Sequence, residues 1–138
     1  MKMILGVVDG VRGGRPPSNW SLFVTPERMI SAMVGRSGLR AALEFGGILT
    51  AKARARRRTE KLRNLPIENV LTAHKNNHDI RYSQAWKTEM EKTSIVSAGK
   101  LQIRTATDEY EFLLMDEERY REHADLLQSV LEEKLSFR

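Results

Sequence analysis

Seven basic side chains crowd into residues 52–63 of this chain: Lys52, Arg54, Arg56, Arg57, Arg58, Lys61 and Arg63, opposed there by Glu60 alone. Cations at that density suit one kind of chemistry. They neutralise phosphates of a nucleic acid or an anionic lipid surface and gain affinity as counterions leave. The segment carries +6 and the whole chain +5, so the other residues sum to −1, a near-neutral domain with one basic stretch. The plainer reading is a solvated helix that merely keeps the chain soluble. No Phe, Trp or Tyr occurs between Gly46 and Tyr82, so the segment lacks the stacking platform of a single-strand binder. DNA or RNA binding through residues 52–63 is therefore the alternative, and anionic lipid headgroups or an acidic protein surface the leading expectation. Leu39, Leu43, Phe45, Ile48 and Leu49 precede the arginines. They could lie in a membrane interface or be buried between copies in a homo-oligomer, and the interruptions at Arg40 and Glu44 favour self-association.

The remaining reactive residues fall short of a site. His74 and His78, followed by Asp79, would converge on a metal only within a helix; Lys75-Asn76-Asn77 reads as a turn, and no further ligand is evident. Gly10-Val11-Arg12-Gly13-Gly14 lacks the Gly-Lys-Ser/Thr of a phosphate loop and opens no helix. Asp108, Glu109 and Glu111, then Asp116, Glu117 and Glu118, suit a turn, an outer strand face and a helix start. His123 falls beside the apolar stripe of the last helix and reads as a surface or boundary residue. There is no Gly-x-Ser-x-Gly, His-Glu-x-x-His, dinucleotide fingerprint or cysteine. The expectation is a non-enzyme with no catalytic residue, no metal, no cofactor and no small-molecule substrate.

The elements that would position the basic segment are mostly strands. Met3 to Val8 reads as a first strand, Asp9 to Asn19 as a loop, and Trp20–Thr25 with Arg28–Val34 as a hairpin turning at Pro26-Glu27. Ser37 can cap a helix, and Ala51 to Leu62 is rich in helix formers, with Gly46-Gly47 a kink. At about 100° per residue the basic side chains fall on several sides of that helix, which predicts a segment projecting from the core. Pro66 ends it. Ile67 to His74 and His78 to Tyr82 read as strands; Trp86, Thr88 and Met90 alternate with Lys87, Glu89 and Glu91, with Thr93 to Val96 continuing that strand. In a final hairpin Leu101, Ile103 and Thr105 share a face with Tyr110, Phe112 and Leu114, while Arg104 pairs outside with Glu109 or Glu111. From Asp116, a plausible N-cap by type, Tyr120, Ala124, Leu127, Leu131 and Leu135 recur at helical spacing.

These passages resemble a known superfamily. Leu22-Phe23-Val24-Thr25-Pro26-Glu27-Arg28-Met29-Ile30 is similar to the strand, Thr-x-x-Arg turn and strand of prokaryotic pleckstrin-homology-like domains, GRAM-type ones included. Ile80-Arg81-Tyr82-Ser83-Gln84-Ala85-Trp86-Lys87-Thr88-Glu89 resembles its I-x-Y-x-x-I-x-x-V-x passage, and Gly99–Thr105 with Tyr110–Leu114 its last hairpin. The likeness covers residues 1–35 and 67–135. Ala85 departs from the larger aliphatic of the pattern, and residues 36–66 stand where a short turn belongs. The resemblance implies an interaction or scaffolding module of about seven strands and one helix.

The fold class expected is thus α+β, mainly β: a bent antiparallel sheet or partly open barrel capped by a C-terminal amphipathic helix. One domain of 138 residues would comprise sheet at 1–35 and 67–115, a helical basic insertion at 36–66 and a capping helix at 116–136. The lack of cysteine fits a reducing compartment. The run Met3–Val8 is too short for a signal peptide, and no window approaches the ~20 apolar residues of a membrane span. A cytoplasmic protein, at most peripheral at the membrane, is expected.

Overall fold

Gly10 lets one strand serve two halves of a sheet. The computed structural model describes residues 4–14, 18–36, 48–92 and 99–137, with side chains for all of these except 36 and 48–52. Strand β1 (Gly6–Gly13) pairs antiparallel with β2 (Ser18–Val24), and its register shifts between Val8 and Val11. At that bulge Gly10 has φ +64, cheap only for glycine, and its carbonyl accepts from the Met115 N–H at 2.9 Å. Past the bulge, Val11, Arg12 and Gly13 also pair with Leu114, Leu113 and Phe112 of β7 (Glu109–Leu114).

One half of the sheet is the meander of β1, β2, β3 (Arg28–Arg36) and β4 (His78–Arg81); the other is β5 (Ala85–Lys92), β6 (Gly99–Thr105) and β7. A short β8 (Leu135–Phe137) adds to β5 in parallel, giving the order β4-β3-β2-β1-β7-β6-β5-β8. Among the described residues no ladder joins β4 to β8, so the sheet is open, and eight strands are described, in keeping with the expected bent sheet of about seven. Three α-helices are described: α1 (Ile48–Arg63) and α2 (Ile67–Thr72) between β3 and β4, and α3 (Tyr120–Leu131) after β7.

Alternation along the strands creates two cores. Trp20, Leu22 and Val24 face inward with Met29, Met90, Leu101, Ile103 and Phe112, and Ala124, Leu127 and Leu131 of α3 complete this cluster. The opposite face of β1, β2 and β3 presents Val7, Phe23, Ile30, Ala32 and Val34, which Leu62 of α1 with Ile67 and Val70 of α2 cover. Each fully buried aliphatic or aromatic side chain here is worth about 1.5–3 kcal/mol.

The Thr25–Arg28 turn owes its shape to one hydroxyl. Thr25 Oγ1 accepts from the Arg28 N–H at 3.1 Å and donates to the Arg28 carbonyl at 2.6 Å. The Tyr82 hydroxyl lies 2.8 Å from the Thr25 carbonyl and 3.0 Å from that of Arg28, and burial pushes its pKa well up.

Several elements differ from what the sequence suggests. Residues 67–72 are helical: Ile67, Val70 and Leu71 fall at i, i+3 and i+4 and turn together onto the outer core. Trp86 is 63% exposed because a register shift between Ala85 and Lys87 puts Ala85 inside, followed by Thr88 and Met90. Asp116 accepts from the Arg119 N–H at 3.2 Å in a turn, and the helix itself starts at Tyr120. It stops at Leu131, where Glu132 takes φ +51; a short 3₁₀ turn (Glu132–Lys134) then leads to β8, so the capping helix spans less than 116–136. His123 is 1% exposed, against its reading as a surface or boundary residue: it sits on α3 next to the buried Ala124, with Asp9 Oδ1 3.7 Å from its Nε2. The Arg104–Glu109 pair forms at 3.1 Å. The readings at Ser37, Gly46-Gly47 and Thr93–Val96 lie outside the described residues.

Candidate functional site

The basic segment forms most of α1. No glycine or proline occurs between Ile48 and Arg63, and Ala, Arg, Lys and Leu favour the helix; Lys61 and Arg63 in its last turn complement the dipole. The chain leaves the helix at Asn64, whose Nδ2 donates to the Glu60 carbonyl at 3.1 Å, and Pro66 follows.

Contrary to the expectation of a projecting segment, α1 lies against the outer face of β2 and β3. Its inward stripe is narrow: Ala55, Thr59 and Leu62 at i, i+4 and i+7. Thr59 Oγ1 donates to the Ala55 carbonyl at 2.8 Å, so its one proton is spent, and Ser21 of β2 donates to it at 2.7 Å. Both hydroxyls are buried, and a satisfied pair at that depth fixes the height and rotation of the helix.

The helix pair is also tethered by an ion network. Arg28 is 3% exposed on the outer face of β3; its Nη1 donates to Asp79 Oδ2 of β4 at 3.0 Å, and its Nη2 donates to Glu68 of α2. Arg81 Nε lies 3.6 Å from the same Asp79 oxygen. Removing a partner would strand a buried guanidinium.

With Ala55, Thr59 and Leu62 turned to the sheet, Arg54, Arg56, Arg57, Arg58, Lys61 and Arg63 are all exposed. Arg54, Arg57, Arg58 and Lys61 recur at i, i+3, i+4 and i+7, within about 100° of the helix circumference. Arg56 and Arg63 fall to the other side of the inward stripe, and Arg63 reaches Glu60 at 3.7 Å. Lys52 opens the basic run within α1, with its side chain outside the description. Leu39, Leu43 and Phe45 lie outside the described residues, and Ile48 and Leu49 belong to the first turn of α1 without described side chains. The described part of the site is thus an outward, cationic helix face with Ala55, Thr59 and Leu62 directed into the protein.

Elsewhere several chemistry-bearing residues have partners within the fold. His78 packs its ring 5.8 Å from Trp20 and 5.3 Å from Tyr110, while His74 Nδ1 accepts from the Asn76 N–H at 3.0 Å in the turn before β4. No group of three or more His, Cys, Asp or Glu among the described residues could hold a metal ion. Arg119 donates to Asp9 Oδ1 at 2.8 Å and to Glu122 at 3.2 Å, its hydrogen bond holding the Glu122 carboxyl below its usual range. His123 Nε2 sits 3.7 Å from Asp9 Oδ1, and burial holds its pKa below the ordinary value. An open cleft of about 470 Å³ lies between the β2–β3 turn and the end of α3, bordered by Glu27, Arg81, Tyr82, Glu132, Glu133 and Lys134. Lys134 Nζ closes one side by donating to the Tyr82 carbonyl at 2.7 Å. The Glu68 and Asp79 partners of Arg28, missed in the sequence, lie 40 and 51 residues from it, with no local pattern linking them.

Fold and site together define an α+β domain: an open, largely antiparallel sheet with a helix closing one side and a cationic helical insertion covering part of the other. No family model matches the chain, and no curated protein does either. Among solved structures, it is similar to the C-terminal domain of an unknown protein from Leishmania infantum, with a TM-score of 0.51 and 10% identity over 94% of this chain and 84% of that one. At that identity the likeness shows the fold alone. No helix among the described residues is long and apolar enough to cross a membrane.

Proposed function

We propose that this chain is a non-catalytic interaction module of pleckstrin-homology-like type whose helix α1 makes an electrostatic contact with a polyanionic partner. The observation that carries the reading is the outward face of α1: six exposed cations over residues 53–63 with Glu60 as their sole acid. The buried Ser21–Thr59 hydrogen bond and the Arg28 network hold that face still, so contact need not order a floppy segment first. The pleckstrin-homology-like reading draws support from the Thr25–Arg28 turn, the final hairpin and the closing helix. Anionic lipid headgroups or an acidic protein surface are the leading partners.

A second reading, DNA or RNA, is favoured by one detail. The described part of α1 exposes no aliphatic side chain larger than Ala53, so its contact is electrostatic throughout, as a nucleic-acid backbone requires. Sedimentation with vesicles containing anionic phospholipid, beside titration of a DNA duplex, separates the two. Binding to either that is lost in a chain carrying Arg57→Gln, Arg58→Gln and Lys61→Gln supports the contact. Equal binding by that variant overturns it.

A further inference from the structure

Charge in this chain is divided between two surfaces that cannot meet within one molecule. Residues 106–133 hold ten acids (Asp108, Glu109, Glu111, Asp116, Glu117, Glu118, Glu122, Asp125, Glu132, Glu133) against Arg119 and Arg121, a local balance of −8. Glu109, Glu111 and Glu122 are engaged by Arg104, Lys100 and Arg119. Glu118 precedes α3, Asp125 lies on it, and Glu132 and Glu133 follow it; all are exposed, and no ion pair among the described residues neutralises them. Helix α3 packs on the inner face of the sheet, where Leu126 lies close against Gly6 of β1. Helix α1 packs on the outer face of β2 and β3. The sheet stands between the cationic helix and the acidic one.

We infer that the partner of the cationic α1 face is a second copy of this chain, docked through the acidic border of its α3. The inference rests on the reading of α1 as an electrostatic contact, and it identifies the acidic protein surface as the chain's own. Charge complementarity is what selects this occupant. Both surfaces lie on or beside a helix, are outward and mostly polar, and carry net charge of opposite sign. The contact is heterologous: each copy offers α1 to one neighbour and α3 to another, so association extends head to tail rather than closing as a two-fold dimer. Exposed pairs are individually weak and are screened within about 10 Å at 0.1 M salt, so the assembly is transient and disappears in high salt. A field of this asymmetry also orients the approaching copy before contact.

The test uses the full chain in sedimentation velocity at about 0.02 M and about 1 M salt, below and above the ionic strength at which exposed charges are screened. The wild type should gain average mass with concentration at low salt and return to the monomer value at high salt. A basic-face variant (Arg57→Glu, Arg58→Glu, Lys61→Glu) and an acidic-face variant (Glu118→Lys, Asp125→Lys, Glu133→Lys) should each stay monomeric while keeping wild-type circular dichroism. Mixed, they should associate again, since each then offers the charge that the other lacks. A wild type that is monomeric at low salt, association indifferent to salt, or a mixture that stays monomeric would overturn the inference. A monomeric chain that still binds vesicles or duplex through α1 sinks self-docking and leaves the polyanion reading standing. An α1 variant that binds both like the wild type removes the polyanion reading itself.

Discussion

Replacing Leu62 by alanine should destabilise the fold by about 2–3 kcal/mol, toward the lower part of the range for buried leucine truncations. Leu62 is 4% exposed and fills the space between α1 and the Phe23–Ile30 surface of the outer core. Its loss removes the transfer energy of a buried isobutyl group and leaves a cavity. That cavity is partly relieved because α1 can settle toward the sheet, which keeps the cost below that of a central core position. For 138 residues, an unfolding entropy of about 2.1 cal/mol/K per residue turns this into a fall in Tm of about 7–10 °C. Thermal and urea unfolding of wild type, Leu62→Ala and the control Leu65→Ala measure it. Leu65 is 38% exposed just past the helix and should cost under about 0.5 kcal/mol. A Leu62→Ala chain as stable as the Leu65→Ala control would mean that α1 is not docked on the sheet, and the fixed cationic face would fall with it.

Three further outcomes follow from the geometry. Glu132 is the non-glycine residue with positive φ among those described, at φ +51 where α3 ends, so Glu132→Gly should raise stability by about 1 kcal/mol in the same unfolding assay; a loss would show that the side chain contributes more than its backbone costs. Burial lowers the His123 pKa in the fold from 6.5, with Arg119 acting in the same direction and Asp9, Glu122 and Asp116 opposing. The unfolded chain therefore binds the proton more readily: the His123 contribution is intact above pH 6.5 and is lost as pH falls below it toward the folded pKa, with a limiting slope of about 1.4 kcal/mol per pH unit. Urea unfolding across that window should show the slope, and His123→Gln should flatten it. Of the two tryptophans, Trp86 is 63% and Trp20 1% exposed, so acrylamide should quench one emission component readily and Trp86→Phe should remove it; uniform quenching would contradict the bulge at Ala85.

What could be read from the sequence was whatever a local period or turn encodes. Leu101, Ile103, Tyr110 and Phe112 alternate, and they pair as Leu101↔Phe112 and Ile103↔Tyr110. Thr25 and Arg28 mark a turn because one hydroxyl serves both ends of it. Residues 67–72 were illegible for the opposite reason: six residues rich in isoleucine, valine and leucine fit a strand as well as a helix, and only the outer core chose. His123 is buried beside Asp9, a neighbour more than a hundred residues away in sequence that no local pattern announces. At the candidate site the arginines were plain, but the face opposite them was not. Ala55 and Thr59 carry so little hydrophobic signal that the stripe they form with Leu62 disappears among charges until Ser21 shows where it points.

The most direct test of the central claim is the salt dependence of binding, measured for wild type and for Arg57→Gln, Arg58→Gln, Lys61→Gln with a DNA duplex and with anionic vesicles in parallel. The four cations grouped on one side of α1 (Arg54, Arg57, Arg58 and Lys61) predict, for the duplex, a slope of log K against log salt near −3.6, about a 150-fold loss between 50 and 200 mM, and a slope near −0.9 once three are neutral. For vesicles the same substitutions should cost about 1 kcal/mol for each cation removed. Steep, α1-dependent binding to either probe is the predicted result; equal slopes and affinities for the two chains on both probes would contradict it.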